Sequence, residues 1–370
     1  MPPSLLIVTG IFPPDSGGPS KFAMDFGNWT CSKDLDVSVQ TYSDEVISAE
    51  QIGSIKVFYT KRQRSLFLRY LKMVYGIGRM AARKNSVIAI GAFLETYIAS
   101  MFFRFDYFVK VPGDIVWERA RNNNYTELSI DDFQKVDLNL KYRVFRKLYS
   151  NSLKRAHVVI VPSLGLYNLC TGWGVKPGNL RIIHNSVENV GRLNLTNSEP
   201  EFDLVTVCRL TPWKGVDEII KYCVSRDLKL VVLGDGPERF RLESQSNELN
   251  AKITFMGNVL PQQVDEILRK SRLFVLNSYY EGLPHALVEA RAAGVLSVGR
   301  AGTGSEEVIT DGIDGYLIRP DRTLEQTLDL ALSSIQSSDS LIQCAKADTT
   351  SRFNREVNFQ KILNEILGEK

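Results

Sequence analysis

The chain has 370 residues, 44% of them apolar and 24% charged, a balance that excludes wholesale disorder and leaves room for two ordinary cores. No apolar run approaches the ~18 residues a membrane span needs, and five scattered cysteines without a C-x-x-C pair exclude a disulfide scaffold or a zinc ribbon. The net charge of +3 hides a split: residues 1–200 hold 25 Lys and Arg against 17 Asp and Glu, whereas residues 201–370 hold 20 against 25.

Residues 4–11 form a continuous apolar run closed by Pro13 and Pro14, as a buried parallel strand would. Without a basic n-region it reads as a first strand and not as a signal peptide, which with the free cysteines points to the cytoplasm. Further apolar pieces at 37–41, 54–59, 87–90, 107–111 and 158–161 alternate with helical patterns. No acidic residue lies between Glu50 and Glu95, so the basic segment 61–84 is expected to face an anionic surface or ligand. Within it, residues 65–84 read as a helix with Arg69, Lys72, Arg79 and Arg83 on one face and Phe67, Tyr70, Leu71, Val74 and Ile77 on another.

The series then restarts with strands at 202–208, 229–233, 253–256, 273–276, 295–298 and 315–318, and helices beginning near Trp213, Glu238, Gln262 and Pro284. The polar stretch 186–200 is the expected linker. The domains are accordingly placed at 1–187 and 188–351, with an amphipathic helix at about 352–367 expected to pack back on the first. Strands alternating with helices give an α/β fold of two doubly wound domains facing a cleft.

Two motifs carry chemistry. In the run Glu281-Gly-Leu-Pro-His-Ala-Leu-Val-Glu289-Ala-Arg-Ala-Ala-Gly294, Pro284 suits a first helical turn and Gly294 a C-terminal cap. Glu281 then sits at a helix N-terminus, where the N–H groups of Gly282 and Leu283 can hold an anion, and Glu289 lies about one turn inside. Carboxylates accept hydrogen bonds from vicinal hydroxyls, so this pair suits a sugar nucleotide; the plain alternative is a negative helix start favoured by the dipole. In Cys208-Arg209-Leu-Thr-Pro-Trp-Lys214-Gly215, after a strand, two cations can point into the switch-point crevice and stabilise a departing diphosphate. Leu233-Gly-Asp-Gly-Pro-Glu238 is a weak half of a dinucleotide fingerprint, and Phe255-Met-Gly-Asn258-Val259 is a strand end that could face a base.

Together, in this order and spacing, these segments resemble retaining glycosyltransferases of glycosyltransferase family 4, which have the GT-B fold. The likeness is specific over residues 202–320 and looser in the first half, through "FPPDSGG" and "VVIVPS…IIHNSVE". It implies a retaining transfer of a hexosyl unit from a nucleotide-diphosphate sugar to a glycan or lipid-linked acceptor. Arg209 and Lys214 would contact the diphosphate, Glu289 the ribose, and Asn258 and Val259 the base. Glu281 would lie near the transferred sugar with the amides of Gly282 and Leu283 beside it. Gly17 and Gly18 would let the first loop approach the phosphates.

The histidine that many relatives carry near the acceptor has no counterpart among His157, His184 and His285. The chain instead has Lys110-Val-Pro-Gly-Asp114-Ile-Val-Trp-Glu118, similar to one subgroup of the family. Asp114 there is either a proton acceptor or a helix cap. The resemblance implies no metal, and Asp34-Leu-Asp36 reads as a solvated turn. It implies no cofactor beyond the nucleotide sugar, and E-G-L-P leans toward a uridine-diphosphate donor. A sugar-nucleotide epimerase or hydrolase, or a non-catalytic sugar-nucleotide-binding protein, are the alternatives; nucleic acid is not an expected partner, for want of a recognised motif. The basic side of helix 65–84 adds an anionic membrane surface as a partner, with the protein peripheral at its inner face.

Overall fold

The computed structural model describes residues 3–15, 17–44, 49–62, 65–84, 86–187 and 200–368. Most of the expected linker, residues 188–199, lies outside the described residues, as does Arg64 of the basic segment. Two compact units emerge, one from Met1–Ile183 with Glu356–Lys370 and one from His184–Arg355.

The first unit contains β1 (Ser4–Thr9), α1 (Gly18–Cys31), β2 (Asp36–Ser43), β3 (Ala49–Ile52), β4 (Ile55–Lys61), α2 (Leu66–Ala81), β5 (Ser86–Ile90) and α3 (Phe93–Phe103). It continues with β6 (Phe108–Lys110), α4 (Ile115–Asn122), α5 (Ile130–Lys135), α6 (Leu140–Arg155), β7 (Val158–Val161), α7 (Leu164–Gly172) and β8 (Leu180–Ile182). The eight strands run in the order β3-β4-β2-β1-β5-β6-β7-β8 and are parallel except for the β3–β4 pair. Strand order reverses between β1 and β5, so the loops after those strands flank the switch point where doubly wound sheets take ligands.

The second unit contains β9 (Phe202–Val207), α8 (Val216–Ser225), β10 (Leu230–Leu233), α9 (Arg239–Glu248), β11 (Ile253–Gly257), α10 (Pro261–Arg269) and β12 (Ser271–Leu276). Then come α11 (His285–Ala293), β13 (Leu296–Arg300), β14 (Tyr316–Ile318), α12 (Leu324–Ser334) and α13 (Asp339–Arg352). Its six parallel strands run β11-β10-β9-β12-β13-β14, with the reversal between β9 and β12. Helix α14 (Arg355–Leu367) returns to the first unit, where Phe359 lies edge-on to Phe22, Phe26 and Trp29, and Ile362, Leu363 and Ile366 join the same core.

The central strands are buried on both faces, which is why β1, β7 and β10 read as nearly unbroken Val, Ile and Leu runs, whereas β2 and β4 alternate with polar residues. The expected α/β class of two Rossmann-like units is what forms. Two strands were not anticipated: β3, polar and exposed at an antiparallel edge, and β8, only three residues long. The helix expected near Trp213 is a single 3₁₀ turn at Pro212–Lys214, and α8 starts only after Gly215, whose φ of 58° breaks the helical path. No described helix is long and apolar enough to cross a membrane.

Helix α2 departs from its expected faces. Val74 and Ile77 are buried, but Phe67 is 75% exposed and Leu71 is exposed as well. Arg69 turns inward, its guanidinium stacked over the rings of Tyr42 and Tyr70. The helical period sorts residues by direction; which directions are covered depends on the neighbours, and α3 and the sheet cover only part of this helix.

Candidate active site

The two motif loops leave β9 and β12, the strands on either side of the second unit's switch point. Lys214 Nζ donates to Glu281 Oε1 in a close, largely buried ion pair. The backbone ties the loops together: Tyr279 N–H donates to the Trp213 carbonyl at 2.8 Å, and Asn277 Nδ2 donates to the Gly215 carbonyl at 2.9 Å. Glu281 N–H donates to the Thr303 carbonyl at 2.8 Å, so the loop after β13 supports the same carboxylate. Arg209 stands exposed at the end of β9 with no ion-pair partner among the described residues.

Helix α11 begins behind Glu281. Pro284 occupies its N-cap and offers no side-chain oxygen, so the first amides of the helix have no side-chain cap. Leu283 is buried and its carbonyl accepts from Asn185 Nδ2 at 3.1 Å. Gly282 and Glu289 are half-buried, Glu289 one turn into the helix, and Gly294 closes it in the left-handed region at φ 79°. Asn258 is exposed and Val259 half-buried just beyond β11, the edge strand.

The Gly234-Asp-Gly236 turn is a packing device. A Cβ at Gly234 would lie 2.0 Å from the Cys208 carbonyl oxygen, and one at Gly236 would lie 2.3 Å from that of Leu210. Leu210 N–H donates to the Asp235 carbonyl at 2.9 Å, and Glu238 N–H donates to that of Leu210 at 3.1 Å. The turn therefore clamps the loop that carries Arg209.

Sequence reading missed a second layer. Asn277 Oδ1 accepts from Arg300 Nε at 3.0 Å, Arg300 reaches Glu218 at 3.3 Å, and the Arg300 guanidinium sits 4.3 Å from the Tyr279 ring centroid. The hydrogen-bonded partners lie 23 and 82 residues apart, so no local pattern announces them. The hydroxyls of Thr211 and Ser278, one on each motif loop, are buried without a hydrogen-bond partner among the described residues.

In the first unit, Gly17 is exposed at φ 149°, and Gly18 opens α1 beside it after β1. Asp36 pairs with Lys84 at 2.6 Å, and Asp34 occupies the turn before β2 at φ 63°. Lys110 is buried, its ammonium pushed down to about 7 by burial, with Nζ 3.4 Å from the Ile183 carbonyl. Asp114 is completely buried at the N-cap of α4. Its Oδ1 accepts from Val116 N–H at 2.9 Å and Trp117 N–H at 3.1 Å, and its Oδ2 from Gln134 Nε2 at 2.9 Å. Burial pushes its carboxyl above the usual carboxylate range. This geometry is that of a helix cap, so the catalytic assignment of Asp114 is not carried forward. Asp114→Ala should remove the cap and leave Gln134 short of a partner, lowering stability by about 2 kcal/mol in urea melts. Nucleotide affinity should not change. Lost turnover with unaltered stability would restore the catalytic role.

Residues 192–348 match the family model described as Glycosyl transferases group 1. An uncharacterized glycosyltransferase of Methanocaldococcus jannaschii is 30% identical over 181 residues, 45% of this chain and 46% of that protein. The GalNAc-α-(1→4)-GalNAc-α-(1→3)-diNAcBac-PP-undecaprenol α-1,4-N-acetyl-D-galactosaminyltransferase of Campylobacter jejuni is 30% identical over 165 residues, 44% of this chain and 42% of that protein. The chain thus spans less than half the length of these curated relatives. Among solved structures, sucrose-phosphate synthase from Thermosynechococcus elongatus superposes with a TM-score of 0.79 at 16% identity, covering 100% of both chains. Anabaena HepE in complex with UDP-glucose gives 0.77 at 18% identity over 99% of both. Residues 192–348 are therefore similar to the glycosyl transferases group 1 family, within a chain of GT-B fold.

Proposed function

We propose that the protein is a retaining glycosyltransferase that moves a hexosyl unit from a uridine-diphosphate sugar to a glycan or lipid-linked saccharide, without a metal. The observation that carries this reading is the Lys214–Glu281 pair, formed where two loops meet at a switch point beside an α-helix N-terminus. An ammonium held there can exchange its carboxylate partner for a phosphate oxygen. With Arg209 it neutralises the charge that grows on the diphosphate as the sugar–oxygen bond breaks, which is the work a metal would otherwise do. The amides of Gly282 and Leu283 support the same region, and Glu281, once released, faces the sugar hydroxyls. Glu289 accepts from the ribose, and Asn258 and Val259 border the base. Gly17 and Gly18 give the first loop a side-chain-free approach to the phosphates. The uridine preference draws support from the Anabaena neighbour, whose structure holds UDP-glucose. An anionic membrane surface is the partner suited to a lipid-linked acceptor.

Incubation with uridine-, guanosine- and adenosine-diphosphate sugars, read by nucleotide release, tests the activity, and the anomeric configuration of the product tests retention. Absence of release from every donor with saccharide acceptors present would refute the reading. The two glutamates should separate. Glu289→Ala is expected to weaken binding of bare uridine diphosphate in calorimetry, because ribose belongs to donor and product alike. Glu281→Ala should impair transfer far more than that binding. Equal losses for both variants would undo the assignment.

A further inference from the structure

The outer side of α2 is divided lengthwise. At about 100° per residue, Phe67 and Leu71 fall on the flank that turns toward α3, where Gly78 on the same side packs on Phe103. Lys72 and Arg79 fall on the opposite flank, which turns toward β4, and Arg83 follows in the turn after the helix. Tyr75 marks the divide: its ring meets that of Phe103 at 6.4 Å, and it also borders the groove on the basic side.

That groove, of about 950 Å³, lies between α2 and the β2–β4 face of the sheet and collects Lys56, Lys61, Lys72, Arg79, Arg83 and Lys84. Its one carboxylate, Asp36, is taken by Lys84 at 2.6 Å. Among the described residues, none of the other five cations has an ion-pair partner, and all five are exposed. On the apolar flank, Phe67 and Leu71 stand in solvent, Leu66 and Leu68 are exposed beside them in the first turn of the helix, and Met101 and Phe102 are exposed at the end of α3, the latter 77%. Six large apolar side chains on α2 and α3, beside the cations of the groove that α2 borders, make a surface that water serves poorly on one side and salt alone satisfies on the other.

We infer that this face of the first unit docks on an anionic lipid bilayer, with Phe67, Leu71 and Phe102 entering the headgroup and acyl boundary and the groove cations meeting lipid phosphates. The charge pattern selects this occupant. A soluble polyanion would use the groove and leave the apolar side chains in water, whereas a protein partner would not require five cations without an ion-pair partner. Amphipathic surfaces of this composition bind lipid by summing apolar burial and attraction to anionic headgroups. The inference rests on the membrane partner named above but not on the transfer chemistry, and it replaces a purely basic contact with a mixed one.

Sedimentation with vesicles tests it, using phosphatidylcholine alone and phosphatidylcholine mixed with phosphatidylglycerol. The wild type should bind the mixed vesicles, prefer them strongly over the neutral ones, and be released in part by salt. Lys72→Ala with Arg79→Ala should weaken binding to the mixed vesicles about 25-fold, from about fivefold per cation. Phe67→Ser with Leu71→Ser should weaken it about tenfold at any salt. All four positions are exposed, and an unchanged melting temperature confirms that each variant folds. No vesicle binding, or binding indifferent to Phe67 and Leu71, would overturn the inference; in the second case, capture of a soluble anionic polysaccharide would assign the groove to a glycan instead. Nucleotide release measured alongside keeps the two readings apart: turnover without docking refutes only this surface, and docking without turnover refutes only the transferase.

Discussion

Lys214→Ala is expected to cut turnover about 100-fold, the cost of about 3 kcal/mol that follows loss of one preorganised charge at a developing anion. The ammonium is held in advance by Glu281, and the loop beneath it is fixed from Asn277 and Tyr279, so little reorganisation is left for the moment of reaction. The loss should fall chiefly on kcat, because the charge on the diphosphate is greatest when the sugar is leaving. Lys214→Arg is no neutral control, since the planar fork needs a different approach to both Glu281 and phosphate. A folded Lys214→Ala enzyme with wild-type turnover would overturn the site assignment.

The largest effect on stability is expected at Arg291. Its side chain is fully buried in α11. Nη1 donates to the Asp314 carbonyl at 3.0 Å, and Nη2 donates to Asp314 Oδ2 and to Asp348 Oδ2, both at 2.9 Å. Asp348 also accepts from Arg352, which reaches the Glu307 carbonyl at 2.7 Å. One guanidinium therefore holds α11, the loop before β14 and α13 together. Arg291→Met would strand Asp314, itself buried, without its counter-charge, and breaking a buried pair from one side costs about 3–5 kcal/mol. For a unit of this size that is a fall in melting temperature on the order of 10 °C. Adding Asp314→Asn should restore part of the loss, because it removes the stranded charge. A change below about 1 kcal/mol in denaturant melts would mean that water or a rearranged loop reaches Asp314, and the fastening role would be withdrawn.

The sheet was legible in the sequence because its strands are buried on both faces. Runs such as Leu5–Val8 and Val158–Val161 can hardly be anything else once helical patterns lie between them. Strand β3, with the sequence AEQI, carries no such mark, because an exposed antiparallel edge needs no apolar residues. At the site, spacing alone put Arg209, Lys214 and Glu281 at strand ends, and the pairing of Lys214 with Glu281 followed from the topology that sets β9 beside β12. The residues that brace them, Asn277, Arg300 and Glu218, were hidden because their contacts cross from one strand end to the next. For Asp114 the residue type fitted a cap and a base equally, and only its burial and three donors decide between them. On α2 the period gave the direction of each side chain, but exposure depends on how far α3 and the sheet extend beside it.

Helix α14 carries a consequence for synthesis. It lies beyond the whole second unit in the chain, yet it supplies Phe359, Ile362, Leu363 and Ile366 to the first unit's core, and Glu356 accepts from the Trp29 indole N–H at 2.5 Å. A ribosome making this chain releases the first unit with Phe22, Phe26 and Trp29 still uncovered, and they stay so until residues 184–355 have been translated. Domains usually fold in the order in which they emerge. Here the first unit must wait for a segment made after the whole of the second, so during translation the nascent first unit is the part that needs shelter from aggregation.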